Sequence, residues 1–327
     1  MKKIVFLFLI PVILISCNKE DISHETIEST SYTIPIFIGN DSILHFEHYI
    51  RQKPIKAGME EWWIRINIIN TQGKHISTIW QKNLFENSNE DYWTCFCMDF
   101  AEDSKTLTIC CTDSDYGENM LYEILVIDLN GNIINKFADE DIEKIANKSL
   151  DQGNSIHVSP NGMYYAITNK IKNMSGETLK VIADTIVDWN TTGLLVRNQA
   201  TNTEIIDIEG IEYTVYSHPN AHFWYGQDLH YLRIVQDTVM ICNLSDSSVL
   251  KKVWFGDYNS YAHWVGNGNF AYPQYPQYIH TNMMSSSISP DSEFLLLNYI
   301  GINLLNLNTG ESKMIKEASI YQYKGED

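Results

Sequence analysis

The segment that decides the fold is IHVSPNGMYYAIT, residues 156–168. Pro160 and Gly162 interrupt it, and β-branched or aromatic residues flank the interruption on both sides. This pattern predicts a strand, a tight turn and a second strand. A second copy, SISPDSEFLLL, occupies residues 287–297, and weaker copies begin near positions 99, 221 and 262. A hairpin that recurs in this way indicates a repeat architecture.

A second kind of hairpin alternates with the first. It consists of an apolar strand, a turn rich in Asn, Asp and Gly, and a shorter strand. Copies occur at residues 62–80, 125–134, 239–250 and 303–315, and a further copy begins at position 203. Together the two hairpins form a four-stranded unit of about 40 to 50 residues. The sequence therefore predicts an all-β fold: a six- or seven-bladed β-propeller of four-stranded antiparallel blades in residues 31–327.

The spacing of the repeats leaves the number of blades open. The interval from His157 to His222 is 65 residues (222 − 157), which is long for one blade and short for two. The interval from His263 to Ser287 is only 24 residues (287 − 263), too few for four strands. A short segment at residues 139–150 is the only predicted helix.

The Ser-Pro-Asn-Gly and Ser-Pro-Asp turns, with their flanking strands, resemble the repeats of TolB-like, or WD40-like, β-propellers. The resemblance covers most of the chain after the N-terminal leader, and it is strong at two repeats. It supports a fold more than a function. Together with the leader, it is similar to propeller lipoproteins of the Bacteroidetes.

The N-terminus has the features of a lipoprotein leader. Lys2 and Lys3 precede an apolar run at residues 4–15, which is short for a membrane span, so residues 1–16 are predicted to be a signal peptide. The sequence Leu-Ile-Ser-Cys that ends at Cys17 resembles the bacterial lipobox. By that resemblance, Cys17 carries palmitate-type acyl chains and becomes the mature N-terminus. Residues 17–30 are then a flexible polar tether.

The residues after Cys17 suggest a location. Asn18-Lys19-Glu20-Asp21 resembles the export signal of Bacteroidetes surface lipoproteins. The resemblance implies the outer membrane and the cell surface, with the periplasmic face as the alternative. The partner so implied is the membrane, through the lipid anchor.

The charge of the chain excludes some partners. The formal net charge is −18, and removal of Lys2 and Lys3 with the leader leaves 21 Lys and Arg against 41 Asp and Glu, or −20. Nucleic acid is excluded, because phosphate binding needs clustered Lys and Arg. The acidity serves either solubility alone or attraction for a cation or a basic partner.

Three histidines, His157, His222 and His263, are predicted at matching positions on inner strands, with Asp99 aligned in a fourth repeat. Inner strands surround the propeller axis, so these imidazoles would converge into a site for a divalent metal ion. The arrangement resembles the metal site near the axis of propeller-type oligogalacturonate lyases. The alternative is that each ring packs against a neighbouring sheet.

Exposed aromatic residues are the candidates for ligand contact. Tyr272, Tyr275 and Tyr278 lie in a proline-rich loop, and Trp264 is close to it in sequence. Their flat faces suit the apolar faces of sugar rings. The five cysteines after Cys17 leave open whether a cross-strand disulfide forms near residues 95–111 or all the thiols are free and buried.

Two functions remain possible on this sequence, which contains no nucleophile elbow, phosphate-binding loop or zinc-finger spacing. The first is a non-catalytic, lipid-anchored binding module for a glycan, peptide or protein, without a cofactor. The second is a metal-assisted polysaccharide lyase or hydrolase that uses the three histidines. They differ in whether the imidazoles converge.

The lipid anchor is directly testable. We expect mass spectrometry of the mature protein to find Cys17 at its N-terminus, bearing acyl chains, because two or more chains are needed for stable anchoring. A Cys17→Ser variant is expected to leave the membrane fraction. An unmodified thiol at Cys17 in membrane-purified protein would contradict the prediction.

Overall fold

The computed structural model of the protein describes residues 25–53, 58–83, 91–115, 119–146, 156–225, 229–235, 238–254, 287–298, 301–317 and 319–324. These residues form six small sheets arranged as a ring, the blades of a β-propeller, with almost no helix. The predicted all-β propeller is confirmed, and the described blades number six.

The first three blades follow the chain from its N-terminal side. Blade 1 contains β1 (Glu25–Gly39), β2 (Ser42–Lys53), β3 (Gly58–Ile69) and β4 (His75–Asn83). Blade 2 contains β5 (Asp91–Ala101), β6 (Thr106–Asp115), β7 (Asn119–Asp128) and β8 (Ile133–Ala138), followed by helix α1 (Glu140–Ala146). Blade 3 contains β9 (Ile156–Val158), β10 (Tyr164–Ile167), β11 (Lys170–Asn173) and β12 (Thr178–Val181).

The remaining blades close the ring. Blade 4 contains β13 (Thr185–Asn190), β14 (Gly193–Arg197), β15 (Asn202–Ile208) and β16 (Ile211–Ser217). Blade 5 contains β17 (Phe223–Trp224), β18 (His230–Val235), β19 (Thr238–Asn243) and β20 (Val249–Trp254). Blade 6 contains β21 (Phe294–Asn298), β22 (Gly301–Asn306) and β23 (Ser312–Glu317), with an inner bridge at Ile288, and β24 (Ser319–Lys324) pairs with β1.

The long interval between His157 and His222 contains two blades. Blades 3 and 4 fit into it because their strands are only three to seven residues long. Blade 4 also departs from a simple antiparallel order, since its strands run β13-β14-β16-β15 and β14 pairs with β16 in parallel. The predicted repeat near residue 262 lies outside the described residues.

The Ser-Pro turns fold as their sequence predicts. In blade 3 the buried Ser159 hydroxyl accepts a hydrogen bond from Tyr164 N (2.9 Å), and the Asn161 side chain accepts one from Met163 N (3.0 Å). Ser289 and Asp291 repeat both bonds in blade 6. Side-chain oxygens thus satisfy backbone donors inside the turn, which explains why Ser and Asn or Asp occur there.

The second kind of hairpin is also confirmed, and its turns hold neighbouring blades together. Asn70, Asp128 and Asn173 each accept two backbone N–H bonds across their own turn. A glycine with positive φ ends each turn and approaches an outer strand of the preceding blade. At Gly131 (φ 85°) an added Cβ would overlap the Ile79 carbonyl oxygen, far inside van der Waals contact. Only glycine permits this backbone approach.

Six apolar clusters occupy the six seams between neighbouring blades. Successive residues on one strand enter different seams, because side chains alternate across a strand. Leu194 packs against blade 3, for example, and Leu195 packs against blade 5. Every blade therefore buries both of its faces in its neighbours.

Blades 1 and 2 are taller than the others. Strand β2 has 12 residues and β6 has 10, whereas β18, the longest corresponding strand elsewhere among the described blades, has 6. At about 3.3 Å per residue, β2 rises roughly 20 Å beyond the level of blade 5. We call the part of blade 1 beyond that level, residues 25–31, 48–53 and 58–64 with β24, the β-extension.

Three further predictions meet the structure here. Strand β1 begins at Glu25, so residues 25–30, predicted as tether, pair with β2 and β24 instead; their polar composition concealed the strand. The predicted helix is present as α1. Cys97 and Cys242 are buried free thiols, and Cys110 and Cys111 are also buried. Among the described residues no helix is long and apolar enough to span a bilayer.

The close approach at Gly131 can be measured against a matched glycine. Gly210 has nearly the same φ (84°), but nothing lies within 4 Å of its added Cβ. Gly210→Ala should lower the free energy of unfolding by about 1–2 kcal/mol through backbone strain alone. Gly131→Ala should cost about 1–3 kcal/mol more, because it also overpacks the seam with blade 1. Urea denaturation of both variants tests this, and equal losses would contradict the proposed role of the seam.

Candidate functional site at the axial end of the ring

The innermost strands place one residue of each blade at an equivalent position near the axis. This position lies on the innermost strand, two residues before the last residue that pairs across the first hairpin. We call it the axial position. The register of the sheets puts Asp99, His157, Asp188 and Ser287 there in blades 2, 3, 4 and 6. Blade 5 has Phe223 at this position, and blade 1 has Ile36, which lies one residue further from the last pair because of a register shift between Phe37 and Gly39.

Polar axial residues bond to the next blade. Asp99 Oδ2 accepts a hydrogen bond from Val158 N of blade 3 (2.7 Å), and Asp188 Oδ2 accepts one from Trp224 N of blade 5 (2.8 Å). Ser287 Oγ likewise accepts one from Phe37 N of blade 1 (3.1 Å). These three bonds, which we call the latches, therefore join blades 2–3, 4–5 and 6–1.

The two axial carboxyls are poorly solvated although each keeps some exposed surface. Burial raises the pKa of Asp99 to about 7. Hydrogen bonds from the backbone N–H groups of Val158 and Phe100 oppose this rise, and repulsion from Asp188 and Glu102 adds to it. Burial also raises the pKa of Asp188 to about 6, with repulsion from Glu102. Three acidic groups therefore interact at one end of the axis, on the face where the first hairpins turn.

This arrangement suits the attraction of positive charge. A carboxyl whose pKa lies near neutrality exchanges its proton readily, and a cationic group nearby would favour the ionised form. Among the described residues, no group of three His, Cys, Asp or Glu has the geometry to hold a metal ion.

The predicted convergence of histidines does not extend to His222. Its register matches Ile156 rather than His157, so His157 and His222 differ by one residue and face different seams. His222 lies near Arg197 and Arg233, in the seam of blades 4 and 5, whereas His157 turns away from Ile156 and Val158 toward blade 4. The blade 5 hairpin begins one residue later than the sequence alignment assumed. His263 lies outside the described residues.

Both imidazoles are neutral near pH 7. Burial lowers the pKa of His157 to about 4, and burial together with the charge of Arg197 lowers the pKa of His222 to about 4. A packing role, the alternative stated for these histidines, agrees with this burial.

One serine and one histidine approach each other as a catalytic pair would. His218 Nε2 lies 2.8 Å from Ser247 Oγ and 3.1 Å from Tyr231 Oη. However, His218 Nδ1 accepts a hydrogen bond from Asn220 N (3.1 Å), so in the neutral ring Nε2 carries the proton and donates it. The ring therefore lacks the free lone pair that would activate Ser247 as a nucleophile.

The position of Ser247 gives the pair a structural role. It has a positive φ (60°) and ends a turn of blade 5 where blade 6 has Gly310. Its hydroxyl reaches His218, at the end of blade 4, and so joins two blades across a seam. Sequence reasoning did not single out this pair, since no motif marks it.

A buried ionic network joins helix α1 to blade 3. Lys172 Nζ lies 2.7 Å from Asp139 Oδ1 and 2.6 Å from Asp141 Oδ2, and Lys170 also bonds Asp141. Tyr165 Oη donates to Asp139 Oδ2 (2.5 Å). Asp139 also accepts from Asp141 N at the start of α1, as N-cap residues do. Two acids balance two bases here, so this network is a structural one.

Several predicted site residues cannot be placed. Cys17, Trp264, Tyr272, Tyr275 and Tyr278 lie outside the described residues. Of the axial residues, the sequence singled out Asp99 and His157 but missed Asp188. The turn after Asp188, Asn190-Thr191-Thr192-Gly193, lacks the Ser-Pro signature that marked the other repeats. Only the alternation of β13 could have suggested it.

Comparison with known proteins adds little. No family model matches the chain, and no curated protein matches it. Similar solved structures include a protein of unknown function from Bacteroides caccae, 9% identical with a TM-score of 0.27, covering 92% of this chain and 100% of its own. Another, from Bacteroides ovatus and named provisionally as a dipeptidyl aminopeptidase IV, is 10% identical with a TM-score of 0.27, covering 88% of this chain and 40% of its own. Similarity this low carries no argument.

The protonation of Asp99 predicts a pH effect with a definite sign. Between about pH 4 and pH 7 the folded residue keeps a proton that the unfolded residue loses, because its pKa rises from 3.8 to about 7. The contribution of Asp99 to the free energy of unfolding therefore falls across this window as pH increases. Asp99→Asn cannot titrate, so the unfolding free energy of the unmodified protein should decrease relative to that of the variant as pH increases.

The comparison between the two proteins isolates this effect. The histidines contribute an opposite slope, since a lowered histidine pKa makes stability rise with pH from about 4 to 6.5, but they do so in both proteins. Asp246→Asn is the control: hydrogen bonds from Ser248 lower the Asp246 pKa, so its contribution changes only at lower pH. Parallel curves for Asp99→Asn and the unmodified protein would contradict the raised pKa.

Proposed function

We propose that this chain is a lipid-anchored cell-envelope β-propeller that binds a glycan, peptide or protein partner without catalysis. The observation that carries the proposal is the axial end of the ring, where Asp99 and Asp188 occupy equivalent positions of blades 2 and 4 near the turn face and keep part of their surface exposed. The lipobox-like sequence ending at Cys17 supports the anchor, and the residues after it support the outer membrane and the cell surface.

The charge of the axial end favours a partner with basic groups. Net charge −18 and the acidic trio attract cations from a distance, which increases the rate of association. An amino sugar or a peptide with Lys or Arg would meet this requirement. The three acids are a modest site by themselves, so neighbouring turns would supply the remaining contacts.

A non-catalytic role is favoured over the metal-assisted lyase or hydrolase. His157 and His222 lie at different register positions of their inner strands, which does not favour the convergence that this mechanism requires. The one serine–histidine pair described above has its ring proton on the wrong nitrogen for base catalysis.

Binding arrays can test this proposal. The purified protein is applied to glycans that include amino sugars and to peptides that contain Lys or Arg, and each bound ligand is then recovered and weighed by mass spectrometry. We expect the Asp99→Asn, Asp188→Asn double variant to bind at least about tenfold more weakly, equivalent to about 1.4 kcal/mol.

The control changes the same charge elsewhere. An Asp128→Asn, Asp246→Asn double variant alters two acids of outer turns and should bind as the unmodified protein does. Equal weakening of both variants would reduce the effect to net charge. Recovery of a cleaved ligand, or loss of binding with a metal chelator, would overturn the non-catalytic proposal in favour of the enzyme.

A further inference from the structure

We infer that the face bearing the β-extension points toward the membrane, and that the turn face with Asp99 and Asp188 points away from it. The inference rests on the proposed lipidation of Cys17, and it adds an orientation that anchoring alone does not give. It depends on the direction of β1 and on the length of chain between Cys17 and that strand.

All inner strands run the same way along the axis, so their first hairpins turn on one face. In blade 1 the turn after Gly39 lies on this turn face, because β1 ends there and β2 returns. Glu25, at the start of β1, lies at the far end of the β-extension, opposite Lys324 of β24. The chain from Cys17 therefore enters the propeller at the tip of the β-extension.

The reach of the tether decides between the two orientations. From Cys17 to Glu25 there are eight residue steps (25 − 17), which span at most about 29 Å when fully extended. From Glu25 to Gly39 there are fourteen steps (39 − 25), about 46 Å of strand. If the turn face lay on the membrane, Glu25 would stand above it by more than the tether can span. The opposite orientation meets no such limit.

Several contacts make the β-extension rigid. Tyr49 and Trp63 are directly opposed on β2 and β3, and their rings stack with centroids 4.9 Å apart. The Arg65 guanidinium lies 3.7 Å from the Trp63 ring centroid, within cation–π distance. Strand β24 covers the free edge of β1 along residues 25–30. The β-extension thus acts as a spacer between ring and membrane.

Energy transfer to labelled lipids tests the orientation in the full-length lipidated protein. A fluorophore is attached through an azidophenylalanine that replaces either Leu121, exposed near the tip of tall blade 2, or Glu293, exposed on the turn face of blade 6. The protein is reconstituted into phosphatidylethanolamine–phosphatidylglycerol vesicles that contain a rhodamine lipid. We expect clearly higher transfer from position 121 than from position 293.

Two controls separate this inference from the anchoring it assumes. The Cys17→Ser chain should neither bind the vesicles nor transfer energy from either position. If the unmodified chain also fails to bind, the anchor itself is refuted; if it binds but position 293 transfers as much as position 121, the orientation is refuted. A chain with twenty Gly and Ser residues inserted after Asp21 should lose most of the difference, because its tether exceeds the length of β1. A difference that survives this insertion would refute tether length as its cause.

Discussion

No blade of this protein can bury its own apolar side chains, and the ring exists because neighbouring blades cover one another. Strand β10, with four residues, places Tyr165 and Ile167 in one seam and Tyr164 and Ala166 in the other. A sheet this small is marginal alone, and burial on both faces makes it stable. Turn glycines such as Gly131 bring the outer backbones close enough for the seams to pack.

The fold could be predicted as far as its signals were local. The Ser-Pro turns and the Asn and Asp turns bond within a few residues, so their sequences specify them directly. The strand order of blade 4 could not be predicted. Strands β15 and β16 form a hairpin, and β16 then pairs in parallel with β14 in the interior of the sheet. Asp188 was missed for a related reason: its partner, Trp224 N, is 36 residues away, and no local pattern records such a bond. The full length of β1 could not be predicted, because its N-terminal residues are polar although they pair with a strand on each side.

Proximity of reactive side chains does not make this ring an enzyme. His218 and Ser247 are at hydrogen-bond distance, yet the backbone of Asn220 assigns the ring proton to the wrong nitrogen. Lys172 is buried and ion-paired with Asp139 and Asp141, and Asp139 also caps helix α1. Both groups join neighbouring elements, as the axial carboxyls also do. What distinguishes Asp99 and Asp188 is that they combine this bonding with partial exposure and a pKa near neutrality.

The alternation of the latches gives the ring a lower internal symmetry than its six blades suggest. Asp99, Asp188 and Ser287 occupy every second blade, whereas Ile36 and His157 occupy blades between them. The seam between blades 1 and 2, where Ile36 is axial, holds thirteen buried apolar residues, against seven in the seam between blades 6 and 1 that the Ser287 latch joins. Axial carboxyl or hydroxyl groups that bond to the next blade therefore occur in alternate blades. A descendant that gained or lost a single blade would interrupt this alternation, whereas a change by two blades would preserve it.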